Sequence, residues 1–112
     1  MKVFGIKSCD SCRKARRWLD ERGQAYDWHD WRADGVDRDL IQTWLDDLGP
    51  EVLVNRRSTT WRGLGEEERA AAMNAQTAAA VLLEHPTLIK RPVVAVEERV
   101  YVGFDAAVRE AL

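Results

Sequence analysis

Cys9 and Cys12 are the residues of this chain whose types and spacing are best suited to chemistry. They are its only two cysteines, two residues separate them, and the cations Lys7, Arg13 and Lys14 lie close by in the sequence. Nearby positive charge favours the thiolate, which is the reactive form of cysteine, and two cysteines at this spacing can close a small disulfide ring. The pattern predicts a redox centre in which Cys9 attacks and Cys12 resolves.

Two other interpretations of the cysteine pair compete with a redox centre. A structural zinc ion usually takes four Cys, His or carboxylate ligands, and the only histidines, His29 and His85, do not stand at zinc-finger spacing. We therefore predict no metal site. The remaining interpretation is that two incidental cysteines lie near a helix start, because a single CxxC motif is only moderately specific.

The composition describes an ordinary globular chain of 112 residues with a net charge of −2. This length suits one domain with a single core, and a negative net charge disfavours binding to nucleic acid and to anionic membranes. The apolar run after Met1 is too short for a signal peptide, and no stretch reaches the length of a membrane span. We expect a soluble, cytoplasmic monomer with no bound cofactor and no nucleic-acid or membrane partner.

A strand and a helix must position the two cysteines. The apolar run at residues 3–6 is typical of a buried strand, and an apolar stripe from Cys12 to a capping Gly23 predicts a helix. Residues 25–31 follow closely enough to form the second parallel strand of a βαβ unit. Ligands usually bind at the carboxyl ends of such strands, and Cys9 would lie at that edge.

Cys9 is expected at the N-cap of this helix. There its sulfur would accept hydrogen bonds from the backbone N–H groups of Ser11 and Cys12, and the helix dipole would favour a negative charge. Both effects would lower the pKa of the Cys9 thiol and make the thiolate its working form.

The same predicted helix also contains oppositely charged residues at a spacing that allows ion pairs. Arg16 and Asp20, and likewise Arg17 and Glu21, lie four residues apart. Such pairs on an exposed helix face stabilise the helix by about 0.2–0.5 kcal/mol each. We assign them no part in function.

The rest of the chain predicts further helices and then a hairpin. Asp37 can cap a helix that ends at Gly49, and a second helical region covers about residues 66–84, divided near residues 74–77. A polar segment lies between these two regions. The apolar and turn pattern of residues 93–102 predicts a β-hairpin, and a closing helix follows it. The chain therefore predicts one α/β domain with a mixed four-stranded sheet, βαβ then ββα, over residues 1–112. A helical insertion at about residues 35–86 would separate its halves.

Long stretches of this sequence resemble the arsenate reductase (ArsC)-like family, a thioredoxin-fold group that also contains the Spx regulators and the YffB-type reductases. The matching stretches are GIKSCDSCRKARRWLDERG, YDWHDWRADG, LVNRRSTTWRGL, IKRPVV and VGF. The segment from asparagine to tryptophan in NRRSTTWR is most similar to the YffB-type subgroup, whereas the motif C-x-x-C-R-K-A-R is similar to the Spx regulators. The resemblance implies a thioredoxin-like sheet with a helical insertion.

The resemblance also implies roles for individual residues. Cys9 takes the position of the family nucleophile, Arg91 that of the arginine before the active-site proline, and Pro92 that of this proline, expected in cis. Arg57 lies in the segment where relatives place an anion-binding arginine. We expect four cations to stabilise the thiolate and to attract the carboxylates of glutathione: Lys7, Arg13, Arg57 and Arg91.

The function that these residues imply is a thiol-disulfide oxidoreductase, an enzyme that reduces a small thiol or disulfide substrate. Glutathione is the expected cosubstrate, and the thioredoxin system is the other possible electron donor. Arsenate reduction is an alternative activity of the same thiolate. The alternative from another class is a redox-switched, Spx-like transcription regulator that binds the α-subunit of RNA polymerase.

Overall fold

The computed structural model describes residues 1–112, and its strands and helices separate into two units. One unit consists of Met1–Gly35 together with Arg91–Leu112, and the other of Val36–Lys90. The first unit contains the sheet and the second is helical. The prediction of one domain with an insertion at about residues 35–86 stays a prediction. No helix combines the length and apolar character that crossing a membrane requires.

A four-stranded sheet forms the centre of the first unit, with the strand order β2-β1-β3-β4. β1 pairs in parallel with β2, whereas β3 is antiparallel to both β1 and β4. The predicted parallel pair and hairpin are therefore confirmed, and Glu97 in the hairpin turn has a positive φ of 55°. The strands are β1 Lys2–Gly5, β2 Asp27–Asp30, β3 Val93–Val96 and β4 Arg99–Val102.

Helix α1, Asp10–Glu21, begins directly after Cys9 and buries one stripe of side chains, Cys12, Ala15 and Leu19. Leu19 joins the fully buried Val3 and Val94 in a hydrophobic cluster. Burying a side chain of this size contributes about 1.5–3 kcal/mol. This packing holds the last turns of α1 against β1 and β3, whereas the buried Cys12, which lies against Gly5, holds the start of α1 at the carboxyl end of β1.

The second parallel strand is shorter than predicted. β2 ends at Asp30, because the Asp30 carboxylate caps the short helix α2, Trp31–Asp34. One carboxylate oxygen, Oδ1, accepts from the backbone N–H groups of Arg32 at 2.8 Å and Ala33 at 3.4 Å. Trp31, predicted as a strand residue, is therefore a buried helical residue.

The helical unit confirms the predicted cap at Asp37 and also contains two short helices that were not predicted. Asp37 caps the first of its helices by accepting from the N–H of Asp39 at 2.8 Å. Pro50 begins a further helix, since proline is well suited to a first helical position, and Ser58 caps a short helix in the polar segment between the two predicted helical regions. The helices are α3 Arg38–Leu48, α4 Pro50–Leu53, α5 Thr59–Gly63, α6 Glu66–Ala72 and α7 Ala78–Glu84, followed by a 3₁₀ turn at Pro86–Leu88.

The predicted closing helix is α8, Ala106–Ala111. Asp105 caps it by accepting from the N–H of Val108 at 3.0 Å, and Val108 is buried. α8 completes the first unit.

Candidate active site

Cys9 lies where β1 passes into α1. It occupies the N-cap with extended dihedral angles, φ −80° and ψ 129°. Its N–H donates to the carbonyl of Ile6 at 3.0 Å, and its carbonyl accepts from the N–H of Arg13 at 2.9 Å. The N-cap position is thus confirmed, and the thiol is half-buried.

The Cys9 sulfur makes no N-cap hydrogen bond of ordinary geometry. The predicted bond from Ser11 is therefore wrong, whereas the backbone N–H of Cys12 does act on the sulfur, as predicted. Burial alone would raise the pKa of Cys9. The Cys12 backbone N–H and the Arg91 guanidinium, which is hydrogen-bonded to the sulfur, outweigh burial and lower this pKa below its ordinary value. Cys9 is therefore a thiol biased toward the thiolate, and Arg91 is the side-chain cation that acts on it.

Cys12 lies beside Cys9 in the opposite ionisation state. It is fully buried, and burial together with the negative charge of Cys9 raises the pKa of its thiol to about 12. Its S–H therefore stays protonated at neutral pH and can donate to the Cys9 sulfur, which helps to lower the pKa of Cys9. Both cysteines are free thiols.

Gly5, at the end of β1, is required for this arrangement. A Cβ built on Gly5 would lie closer than 3.0 Å to the Sγ of Cys12 and 3.3 Å from the ring of Trp28. Cβ atoms do not come this close to a sulfur in well-packed interiors. The absent side chain at Gly5 thus leaves the space that the Cys12 thiol occupies.

Arg91 and Pro92 belong to the same unit as the cysteines. The bond between them is a cis peptide, as the resemblance predicted. Pro92 is buried, and its carbonyl accepts from the N–H of Gly103 at 2.9 Å. The structure thus brings together Cys9, Cys12 and Arg91, three of the predicted site residues. Their catalytic roles, and the substrate-binding role of Pro92, stay predictions.

Lys7 and Arg13 lie on a cavity of about 520 Å³ next to the start of α1. Arg13 forms an ion pair with Asp10, and neither Lys7 nor Arg13 is among the groups that shift the pKa of Cys9. Their expected roles in binding stay predictions. Arg16 and Arg32 also line this cavity, although neither is among the site residues predicted from the sequence.

Arg57 belongs to the helical unit. It lines a cavity of about 440 Å³ there, together with Asn55, Arg56 and Lys90 among others. Its backbone N–H donates to the side-chain oxygen of Asn55 at 3.1 Å. The expected role of Arg57 at the thiolate stays a prediction.

His85, considered above as a zinc ligand, lies with two carboxylates of the helical unit. The ligand-type atoms of Glu68, Glu84 and His85 lie within 4.8 Å of one another. Both glutamates are exposed, and the Nε2 of His85 is hydrogen-bonded to Glu68 at 3.1 Å. This bond accounts for the approach of His85 to Glu68 without a metal ion.

Three features define the thioredoxin-like fold of the arsenate reductase-like thiol oxidoreductases. They are the mixed sheet, the thiol pair at a helix start and the arginine before a cis-proline. The model of the ArsC family matches residues 4–112. The chain therefore belongs to the ArsC family, which confirms the family predicted from the sequence.

Solved structures support the same conclusion. The chain is 40% identical to the YFFB (PA3664) protein, with a TM-score of 0.91 and coverage of 98% of this chain and 96% of that one. It is 37% identical to an arsenate reductase (ArsC) related protein from Brucella melitensis, with a TM-score of 0.78 and coverage of 98% and 91%.

Two curated relatives of this chain differ in kind. An uncharacterised protein of Haemophilus influenzae is 42% identical over 92% of this chain and 90% of its own length. The global transcriptional regulator Spx of Bacillus subtilis is 30% identical over 92% of this chain and 79% of its own length. The chain is thus similar to both the YffB-type and the Spx-type members, as the sequence motifs predicted.

Proposed function

We propose that this chain is a cytoplasmic, glutathione-dependent thiol-disulfide reductase that acts as a monomer on small disulfides. The observation that carries the proposal is the pairing of two thiols with opposite pKa shifts. The pKa of Cys9 is lowered, whereas that of Cys12 is raised to about 12. A thiolate beside a protonated thiol is the state that a nucleophilic disulfide exchange needs.

In the first step, the Cys9 thiolate attacks one sulfur of the substrate disulfide. A new S–S bond joins Cys9 to that half of the substrate, and the other half leaves as a thiolate that takes a proton from water. The positive charge of Arg91 next to Cys9 favours the anionic reactant. The product of this step is a mixed disulfide that carries no charge on Cys9.

In the second step, Cys12 resolves the mixed disulfide. Burial still raises the pKa of Cys12 in the mixed disulfide, but the charge of Cys9 and the hydrogen bond to its thiolate, which also raise this pKa, are lost. The Cys12 thiolate then attacks the Cys9 sulfur, which releases the reduced product and leaves a Cys9–Cys12 disulfide. Two glutathione molecules reduce this disulfide and become glutathione disulfide, so no bound cofactor is needed. Direct attack of glutathione on the mixed disulfide is the other route, and the thioredoxin system is the other donor.

The test is steady-state reduction of hydroxyethyl disulfide, coupled through glutathione and glutathione reductase to the oxidation of NADPH. We expect many turnovers by the unmodified chain and none by Cys9→Ser, because an alcohol cannot replace the thiolate. Ser11→Ala, on the exposed side of the same helical turn, is the matched control and should keep full activity. Turnover by Cys9→Ser at the wild-type rate would refute the proposal.

Arsenate reduction is a second candidate, favoured by the 37% identity to the arsenate reductase related protein of Brucella melitensis. In this reaction the Cys9 thiolate attacks arsenic, and nearby arginines hold the oxyanion. Arsenate added to the same assay in place of the disulfide separates the two activities. NADPH oxidation that requires both arsenate and Cys9 would support this candidate.

A redox-switched regulator is the candidate from another class, favoured by the 30% identity to the Spx regulator of Bacillus subtilis. A Cys9–Cys12 disulfide would alter the start of α1 and with it an adjoining partner surface. The readout is the affinity of the reduced and oxidised chain for the α-subunit of RNA polymerase. Equal affinity of the two forms would exclude the switch.

A further inference from the structure

The cavity beside the start of α1 has an unusual lining. Its volume is about 520 Å³, within the range of about 300–1,000 Å³ that small-molecule sites occupy. Four of the side chains around it are cations and one is a carboxylate, and all of them belong to the first unit. The lining residues are Ile6, Lys7, Ser8, Arg13, Arg16, Asp30 and Arg32.

The single carboxylate of this cavity does not neutralise the cations. Asp30 uses Oδ1 to accept from the backbone N–H groups of Arg32 and Ala33, and Oδ2 to accept from the N–H of Lys7 at 2.9 Å. It forms no ion pair with a cationic side chain. Of the four cations, Arg13 forms an ion pair with Asp10, which is not a lining residue. Lys7, Arg16 and Arg32 still leave the cavity positively charged, because its one carboxylate caps α2 and holds the loop before Cys9.

Arg16 is the most distinctive of the cations. Its guanidinium carbon lies 4.5 Å from the centre of the Trp28 ring, and its Nε is buried without a hydrogen-bond partner. The Arg16–Asp20 pair predicted from the sequence is absent, because Asp20 instead accepts from the hydroxyl of Tyr26 at 3.1 Å. The buried, unpartnered Nε is costly to the free protein. Because Arg16 lines the cavity and forms no ion pair, its guanidinium can bind a ligand carboxylate there without giving up a protein partner.

We infer that this cavity binds the carboxylates of an acidic thiol peptide of the glutathione class, with Arg16 as the main carboxylate-binding residue. This inference rests on the proposed function and deepens it. The planar guanidinium, held against Trp28, can bind a carboxylate through two parallel hydrogen bonds. Ser8 lies on the cavity and directly precedes Cys9, so a peptide bound there would have its thiol near the nucleophile.

The dimensions of the cavity favour a peptide over a single small oxyanion. Its cations come from three elements: Lys7 from the loop before α1, Arg13 and Arg16 from α1, and Arg32 from α2. A phosphate-sized ion would fill only a small part of a cavity of about 520 Å³, whereas a ligand with two separated carboxylates can contact cations from more than one of these elements. Arg16 is thus a specificity residue for the thiol donor and not a participant in the exchange of disulfide bonds.

The test is calorimetric titration of S-methylglutathione, which cannot exchange disulfides, into the full chain. Arg16→Leu should weaken binding by about tenfold or more, the effect of losing a hydrogen-bonded charge pair. Arg16→Lys should recover part of this loss. The control Arg17→Leu, which changes the next residue on the exposed face of α1, should leave the affinity within about twofold of the wild type, since exposed charges contribute little.

A ligand series tests the same point without any variant. The diethyl ester of S-methylglutathione, in which both carboxylates are blocked, should bind the wild type about tenfold or more weakly, and Arg16→Leu should not weaken it further. Equal affinity of ester and acid would overturn the inference. So would competition by inorganic phosphate with an affinity similar to that of the peptide, because that result would define a simple oxyanion site.

Failure of this inference is distinguishable from failure of the proposed function. Binding that depends on Arg16, in a chain that reduces no disulfide, would uphold the cavity assignment and refute the reductase. Conversely, Cys9-dependent turnover whose KM for glutathione is the same in Arg16→Leu and wild type would overturn the cavity assignment alone.

Discussion

Replacing Gly5 with alanine is the sharpest structural test of how the thiol pair is held. The new Cβ would lie closer than 3.0 Å to the Sγ of Cys12 and 3.3 Å from the ring of Trp28. Cys12 is fully buried and has a short side chain, so its sulfur cannot swing into solvent to relieve the clash. Either the sulfur or the end of β1 must move.

The expected cost follows from two opposing effects. Forcing an extra methyl group into a packed interior costs about 1–3 kcal/mol, whereas alanine in place of glycine in a strand recovers about 0.5–1 kcal/mol of conformational entropy. We therefore expect Gly5→Ala to lower the free energy of unfolding by about 0.5–2 kcal/mol. Displacing the Cys12 sulfur also weakens its hydrogen bond to Cys9, so the pKa of Cys9 should rise.

Urea unfolding measures the change in the free energy of unfolding. The ultraviolet absorbance of the thiolate, followed against pH, measures the change in the pKa of Cys9. The matched control is Gly63→Ala in α5, where a Cβ meets nothing within 4 Å. This control should be as stable as the wild type or more stable, because alanine favours the helix. It should leave the pKa of Cys9 unchanged.

Two results would refute the reasoning about Gly5. Wild-type stability of Gly5→Ala would mean that Cys12 does not close the space above this glycine. Lowered stability with an unchanged Cys9 pKa would mean that the position of Cys12 does not control the ionisation of Cys9.

Three further predictions concern the ionisable groups. Arg91→Leu should raise the pKa of Cys9, because the guanidinium that favours the thiolate is lost. The thiolate absorbance followed against pH measures this pKa, which should stay unchanged in the control Arg17→Leu. Asp30 accepts backbone hydrogen bonds that outweigh burial and lower the pKa of its carboxyl group. The charged carboxylate therefore stabilises the fold at pH values above the pKa of Asp30 in the unfolded chain. This stabilisation is lost as the pH falls through the pKa of Asp30 in the folded protein. Asp30→Asn should lower the free energy of unfolding by about 0.3–1 kcal/mol at neutral pH, and a difference that stayed constant into acid would contradict this assignment. Cys12→Ser should slow turnover and let a mixed disulfide on Cys9 accumulate, which mass spectrometry would detect. Turnover of this variant at the full rate would mean that glutathione, and not Cys12, resolves the mixed disulfide.

Local features were predictable from the sequence because they depend on neighbouring residues. Cys9 precedes a helix whose stripe of small and apolar residues begins at Cys12, and the N-cap position followed from that spacing. The Asp37 cap and the hairpin around Glu97 have the same origin. The family resemblance added Arg91 and Pro92, which lie far from the cysteines in the chain.

Burial and competition between partners decided the rest. The i,i+4 spacing of Arg16 and Asp20 predicts an ion pair, but the Tyr26 hydroxyl takes up Asp20, and Arg16 packs over Trp28. Tertiary contacts can override a pair worth only about 0.2–0.5 kcal/mol. The unpartnered Nε of Arg16 and the cavity that this residue lines were therefore not predictable from spacing.

A thiol pair with CxxC spacing at a helix start, after a buried strand and in a chain of the ArsC family, is already evident in the amino-acid sequence. The difference between the two thiols arises in the folded protein. Burial raises the pKa of Cys12 to about 12, whereas contact with Arg91 helps to lower that of Cys9. The physical reason is that a pKa depends on the solvent and charges around a group, and folding brings both from distant parts of the chain.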